Sequence, residues 1–138
     1  MKYFFSLLLS IAIISVATAQ DFKKVETNVY LKKFEDAKTE IDKSMADPKN
    51  QAKAEGYYWK SRIYAALFQN EATRAKYPTA VEDAHAAFQK YAEMDPALAK
   101  VKEKGADGYF DMYATSFGVG INSFKEKKYE AASKEFEK

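Results

Sequence analysis

The 138-residue sequence predicts an all-α fold built from antiparallel helix pairs stacked on one another. Three observations carry the prediction. Glycine (5) and proline (3) are scarce, too few for the many tight turns of an all-β chain. Apolar residues return at spacings of three and four in several separate stretches, which places them on one face of a helix. One of these stretches occurs three times at a period of about 47 residues, the mark of a stacked repeat array.

The first element is a targeting segment. "MKYFFSLLLSIAIISVATAQ" opens on Lys2, continues through the apolar run 4–16, and closes on the small tripeptide Ala17-Thr18-Ala19. That is the layout of a secretory signal peptide, over 1–19, cleaved after Ala19. The apolar run is shorter than the roughly 20 residues that span a bilayer, so an uncleaved anchor is the weaker expectation. The mature chain would start at Gln20 in a periplasmic or secreted location and be nearly neutral. The membrane enters only through export.

Residues 20–138 form the helical domain, with repeats at roughly 22–48, 51–96 and 106–138. A short opening helix is expected over 22–33, with Phe22, Val25, Val29 and Tyr30 on one side. "FEDAKTEIDKSMADP" (34–48), "VEDAHAAFQKYAEMDP" (81–96) and "YEAASKEFEK" (129–138) share one pattern. Each has an apolar residue, then Ala three positions on, then a large apolar residue four further on. The last two places are Ala37 and Ile41, Ala84 and Phe88, Ala132 and Phe136. The small Ala leaves room for a helix to cross closely. The first two stretches close on Asp-Pro, where Pro cannot continue the helix and the residue before it disfavours helical geometry.

Between these lie the partner helices. "QAKAEGYYWKSRIYAALFQ" (51–69) puts Tyr57, Ser61, Tyr64 and Phe68 on one face and Trp59, Ile63 and Ala66 on an adjacent stripe. "GYFDMYATSFGVGINSF" (108–124) repeats the idea with Tyr113, Phe117, Gly120 or Ile121, and Phe124. Two segments lengthen the repeat: "NEATRAKYPT" (70–79), with Pro78 near the start of the next helix, and "ALAKVKEKGADG" (97–108), with breaks expected at Gly105 and Gly108. "YEAASKEFEK" holds only the opening two-thirds of a second helix. Its Asp-Pro close would fall at about residue 144, so the chain is expected to be the N-terminal piece of a longer repeat protein.

These residues resemble the tetratricopeptide repeat (TPR) family, whose first helix follows W-x2-L-G-x2-Y and whose second follows aromatic-x2-A-x3-F, closing on Pro. Tyr57, Ser61 and Tyr64 match the first helix, with Lys60 where Leu is preferred. Ala84, Phe88 and Pro96 match the second at the family's spacing. Ala37, Ile41 and Pro48 match it one residue short, and Gly120 takes the small place of the third first-helix. The repeat here is longer than the usual 34 residues. The resemblance implies a TPR-like α-solenoid, a right-handed array of about three helix pairs. Its first helices would line a concave groove that holds a partner peptide. Glu55, Tyr58, Trp59 and Arg62 would then turn towards that groove, where aromatic and Arg side chains are typical anchors. The alternative packs Tyr58 and Trp59 against a neighbouring repeat.

Composition narrows the function classes. There is no cysteine, which removes disulfides, thiolate catalysis and Cys-ligated zinc. The net charge of +2 is spread as mixed Lys and Glu rather than as the basic stripe of a nucleic-acid binder. His85, the single histidine, has no nucleophile near it in sequence. Gly118-x-Gly120 lies between helical flanks and suits close helix contact rather than a phosphate loop. The acidic pairs Glu35/Asp36, Glu82/Asp83 and Asp107/Asp111 suit helix starts and form no calcium loop. No enzyme, metal or cofactor is expected. The predicted function is a non-catalytic protein–protein interaction scaffold of the cell envelope. The alternative is a small-ligand or glycan-binding helical-repeat protein of the outer membrane or periplasm.

Overall fold

Helix follows wherever the three-four spacing runs. The computed structural model describes residues 22–137, and these contain nine helices and no strand. The expected signal peptide and its cleavage site lie outside the described residues. The helices are α1 (Lys23–Tyr30), α2 (Phe34–Met45), α3 (Pro48–Gln51), α4 (Ala54–Gln69), α5 (Glu71–Lys76), α6 (Ala80–Met94), α7 (Ala99–Lys104), α8 (Asp107–Lys125) and α9 (Tyr129–Phe136).

The most aromatic helix sits at the centre. Nine of the 16 residues of α4 are buried, on all sides of the helix, so it must be surrounded. It packs most heavily on α6, then on α8 and α2, while α1 pairs with α2 and α8 with α9. Trp59, Ile63 and Leu67 of α4 are fully buried, with Ile41, Val81 and Tyr91 from its neighbours. Each such aliphatic side chain stabilises the fold by about 1.5–3 kcal/mol. The repeat residues Ala37, Ala84 and Ala132 are all buried. Ser61 and Tyr64 are buried too, and Tyr57 and Phe88 are packed partly against the core. Lys60, the departure from the TPR pattern, lays its ammonium over the Tyr64 ring at 5.4 Å.

Two of the turns are copies of each other. After α1, Lys33 N–H reaches the Asn28 carbonyl and Lys32 N–H the Val29 carbonyl. After α8, Lys128 N–H reaches Ser123 and Lys127 N–H reaches Phe124. This paired closure satisfies two of the last carbonyls of each helix and places one residue in the left-handed region. That residue is Lys in both, Lys32 at φ 56 and Lys127 at φ 63, where glycine is usual. The two hairpins α1–α2 and α8–α9 therefore superimpose in sequence at an offset of 95: Phe22 on Phe117, Ala37 on Ala132, Ile41 on Phe136. The middle pair, α4 and α6, replaces this turn with the inserted α5. Asn70 caps α5 by accepting the Ala72 N–H at 3.0 Å.

The Asp-Pro pairs do more than end a helix. Asp47 accepts the Lys49 N–H at 2.9 Å and Pro48 takes the first position of α3, so the breaker of α2 also starts the next turn. Beyond Asp95-Pro96, Leu98 adopts φ 52 and α7 begins. The buried Tyr91 hydroxyl donates to Asp95 and accepts the Lys100 and Val101 N–H groups, which fixes that start. Gly105, at φ 94, is the break expected there.

Two expectations are corrected by packing. Gly108 is not a break but lies within α8, buried against α4, where a Cβ would come within 2.7 Å of the Arg62 Cα. Gly118 makes no close helix contact, since a Cβ there would meet nothing within 4 Å. Phe136 lays its ring against Gly120, yet no described helix covers its other side, and it stays half-exposed.

Candidate functional site

Three of the four residues expected to face a groove do share one strip of α4, but the inserted segment 97–108 lies over that strip. The Tyr58 hydroxyl donates to the Gly105 carbonyl at 2.9 Å. Arg62 Nη1 donates to the Lys104 carbonyl at 3.0 Å, and Nη2 pairs with Asp107 at 2.8 Å. Glu55 lies 3.4 Å from Lys100 and accepts the Trp59 indole N–H at 3.2 Å. Lys104 reaches back to Glu26 on α1 at 2.9 Å, which holds its ammonium pKa well above the usual lysine value. The expectation that Tyr58 and Trp59 line an open groove is therefore corrected: they are 3% and 0% exposed. Trp59 is closed in by Tyr58 and Tyr30, both edge-on, and by the Arg62 guanidinium over its ring at 5.9 Å. Burial also pushes the Tyr58 hydroxyl pKa up, so it stays a donor.

Past Arg62 the groove is open. One recess of about 320 Å³ runs between α1, α4 and α8, from Tyr30 and Lys32 across Ala66 and Gln69 to Asp107 and Asp111. A second of similar size continues over the α1–α2 turn past Lys33, Phe34 and Ala66 towards Asn70 and Thr73. Ala66 and Phe34 belong to both, so the two are one surface. Its floor is apolar and its walls carry opposite charges. Neither Lys32 nor Lys33 has an ion-pair partner among the described residues. Asp107 is committed to Arg62, while Glu35 at the far rim is held by Lys76 and Tyr77, which keep its carboxyl pKa below the usual range.

The sequence reading missed Tyr30, Lys32, Lys33 and Asp111 as groove residues. A signal existed: the Lys-Lys-aromatic step recurs at 32–34 and 127–129, at the same distance before Ala37 and Ala132. Its meaning depends on a turn geometry that spacing does not reveal. His85 is half-buried on α6, and its ring Nε2 lies 3.3 Å from the Gln89 side-chain amide. Among the described residues no group of three His, Asp or Glu side chains is placed to hold a metal ion. No described helix is long and apolar enough to cross a membrane. Comparisons with family models, curated proteins and solved structures find no match to this chain.

Proposed function

We propose that this chain is an exported, non-catalytic interaction protein of the cell envelope, a TPR-like solenoid that holds an extended peptide segment of a partner. One observation carries the reading: the continuous recess across α1, α4 and α8, with an apolar floor at Phe34 and Ala66 and with Lys32 and Lys33, which have no ion-pair partner among the described residues, on its wall. An extended chain laid there buries an apolar side chain on the floor and sets a carboxylate against the two lysines. The glycan alternative has less support, because Trp59, the largest aromatic side chain of α4, is buried.

Panning a library of seven-residue peptides against the full chain tests the groove. Acidic residues should be enriched at one end of the selected peptides, and Lys32→Glu with Lys33→Glu should abolish the enrichment. A flat selection, or one indifferent to the double variant, sinks the reading. Export has its own test. Expressed with its native start in a bacterium, the chain should be recovered outside the cytoplasm beginning at Gln20, and intact Met1 on cytoplasmic protein would refute it.

A further inference from the structure

The covered half of the α4 strip shows how this fold holds a length of chain. Glu55, Tyr58, Arg62, Ala66 and Gln69 follow one another at spacings of three and four, so they form one strip along α4. The link between α7 and α8 lies on the first part of it. Donors from the strip hold its backbone: Tyr58 reaches the Gly105 carbonyl and Arg62 the Lys104 carbonyl. Opposite charges hold its side chains: Glu26 on α1 takes Lys104 and, three residues on, Arg62 takes Asp107. The bound stretch is thus a cation and an anion, with backbone carbonyls between them accepting from α4.

The open half offers the same kinds of group. Gln69 lines the recess, and its side-chain amide has no hydrogen-bond partner among the described residues. Asp111 lines it from α8, half-buried and with no ion-pair partner among the described residues. Its neighbour Asp107 is already taken by Arg62. A carboxylate drawn partly out of water is stabilised by a counter-charge. On the α1–α2 side stand Lys32 and Lys33. They outnumber the exposed Asp36, since Glu35 is held by Lys76.

We infer that the groove selects an extended partner segment of mixed charge, with Asp111 as the residue that specifies its basic end. A Lys or Arg of the segment pairs with Asp111, an apolar residue lies over Ala66 and Phe34, and an Asp or Glu meets Lys32 and Lys33. The Gln69 amide donates to a backbone carbonyl between them, as Tyr58 and Arg62 do on the covered half. This rests on the peptide-binding reading above and adds a cationic subsite to it. Charge complementarity at both ends fixes the class of occupant: a wholly acidic tail or a nucleic acid brings no cation for Asp111.

The test pans the seven-residue peptide library on the full chain and on two variants, Asp111→Asn and Asp111→Glu, with circular dichroism checking that both fold. On the parent, Lys or Arg should be enriched about threefold or more at the end opposite the acidic residue. Asp111→Asn should remove the basic enrichment and leave the acidic one, and Asp111→Glu should keep both. Acidic enrichment without basic enrichment overturns the inference while the peptide reading stands. Basic enrichment that survives Asp111→Asn does the same. A flat selection sinks both. Sedimentation showing the unliganded chain as a dimer that Asp111→Lys splits also overturns the inference, since the groove would then belong to a second copy.

Discussion

Two glycines on α8 should respond to the same substitution with opposite signs. Replacing Gly by Ala in a helix interior gains about 0.5–1 kcal/mol, because Gly loses more backbone freedom on folding. At Gly118 an added methyl meets nothing within 4 Å, so the gain is undiminished. Gly118→Ala should stabilise by about 0.5–1 kcal/mol and raise Tm by about 3 °C for a chain of this size. At Gly108 the methyl would lie 2.7 Å from the Arg62 Cα and 3.1 Å from the Arg62 carbonyl oxygen. Backbone atoms cannot rotate away, so α4 and α8 must part by about 0.7 Å to restore ordinary contact. That movement stretches the bonds that Arg62 makes to Lys104 and Asp107 and that Tyr58 makes to Gly105. With about 1 kcal/mol at stake in each, and the first turn of a helix yielding little propensity gain, Gly108→Ala should destabilise by about 1–3 kcal/mol. Urea denaturation of both variants beside the parent measures the pair. Equal signs, or a neutral Gly108→Ala, would refute the claim that the α4–α8 contact is backbone-close at this point.

Lys32→Gly and Lys127→Gly should each stabilise by about 0.5–1 kcal/mol in the same assay, since relief of the left-handed strain outweighs the extra freedom of the unfolded chain. Trp59→Ala should cost about 3–5 kcal/mol, whereas Phe110→Ala, on the exposed side of α8, should stay within about 0.5 kcal/mol of the parent. Tyr64 carries a pH signature. Burial first, and then its bond to Asp42, push its hydroxyl pKa up to about 12. A folded pKa above the unfolded value means that this contribution is fully present below about pH 10 and is lost as pH rises towards 12. Tyr64→Phe should therefore flatten the alkaline fall in stability, and an unchanged slope between parent and variant would contradict the assignment.

The long helices were legible because their spacing is redundant. Ala37, Ala84 and Ala132 are small residues at one place of a repeated pattern, and all three are buried. The short inserted helices were not legible. α7 is six residues with Val101 as its main apolar point, below the length at which periodicity says anything. Its position depends instead on Tyr91, a residue of another helix, and on Leu98 and Gly105 taking positive φ. That one omission explains the misplaced groove. The strip bearing Glu55, Tyr58 and Arg62 was found from sequence, and what covers it was not. Gly108 and Gly118 look alike in sequence, and only the separation of neighbouring backbones tells them apart.

The inserted α7 also sets a limit on anything that uses the groove. It is joined at its two ends to α6 and α8 and held over α4, so it is present there at an effective concentration of order millimolar. A ligand long enough to run past Arg62 must displace this intramolecular competitor, and its apparent affinity is divided by the fraction of time the strip is free. A short ligand confined to the far side of Arg62 meets no such competition. Under the proposed function, occupancy by α7 would act as a ruler, selecting ligands by length before any side chain is compared.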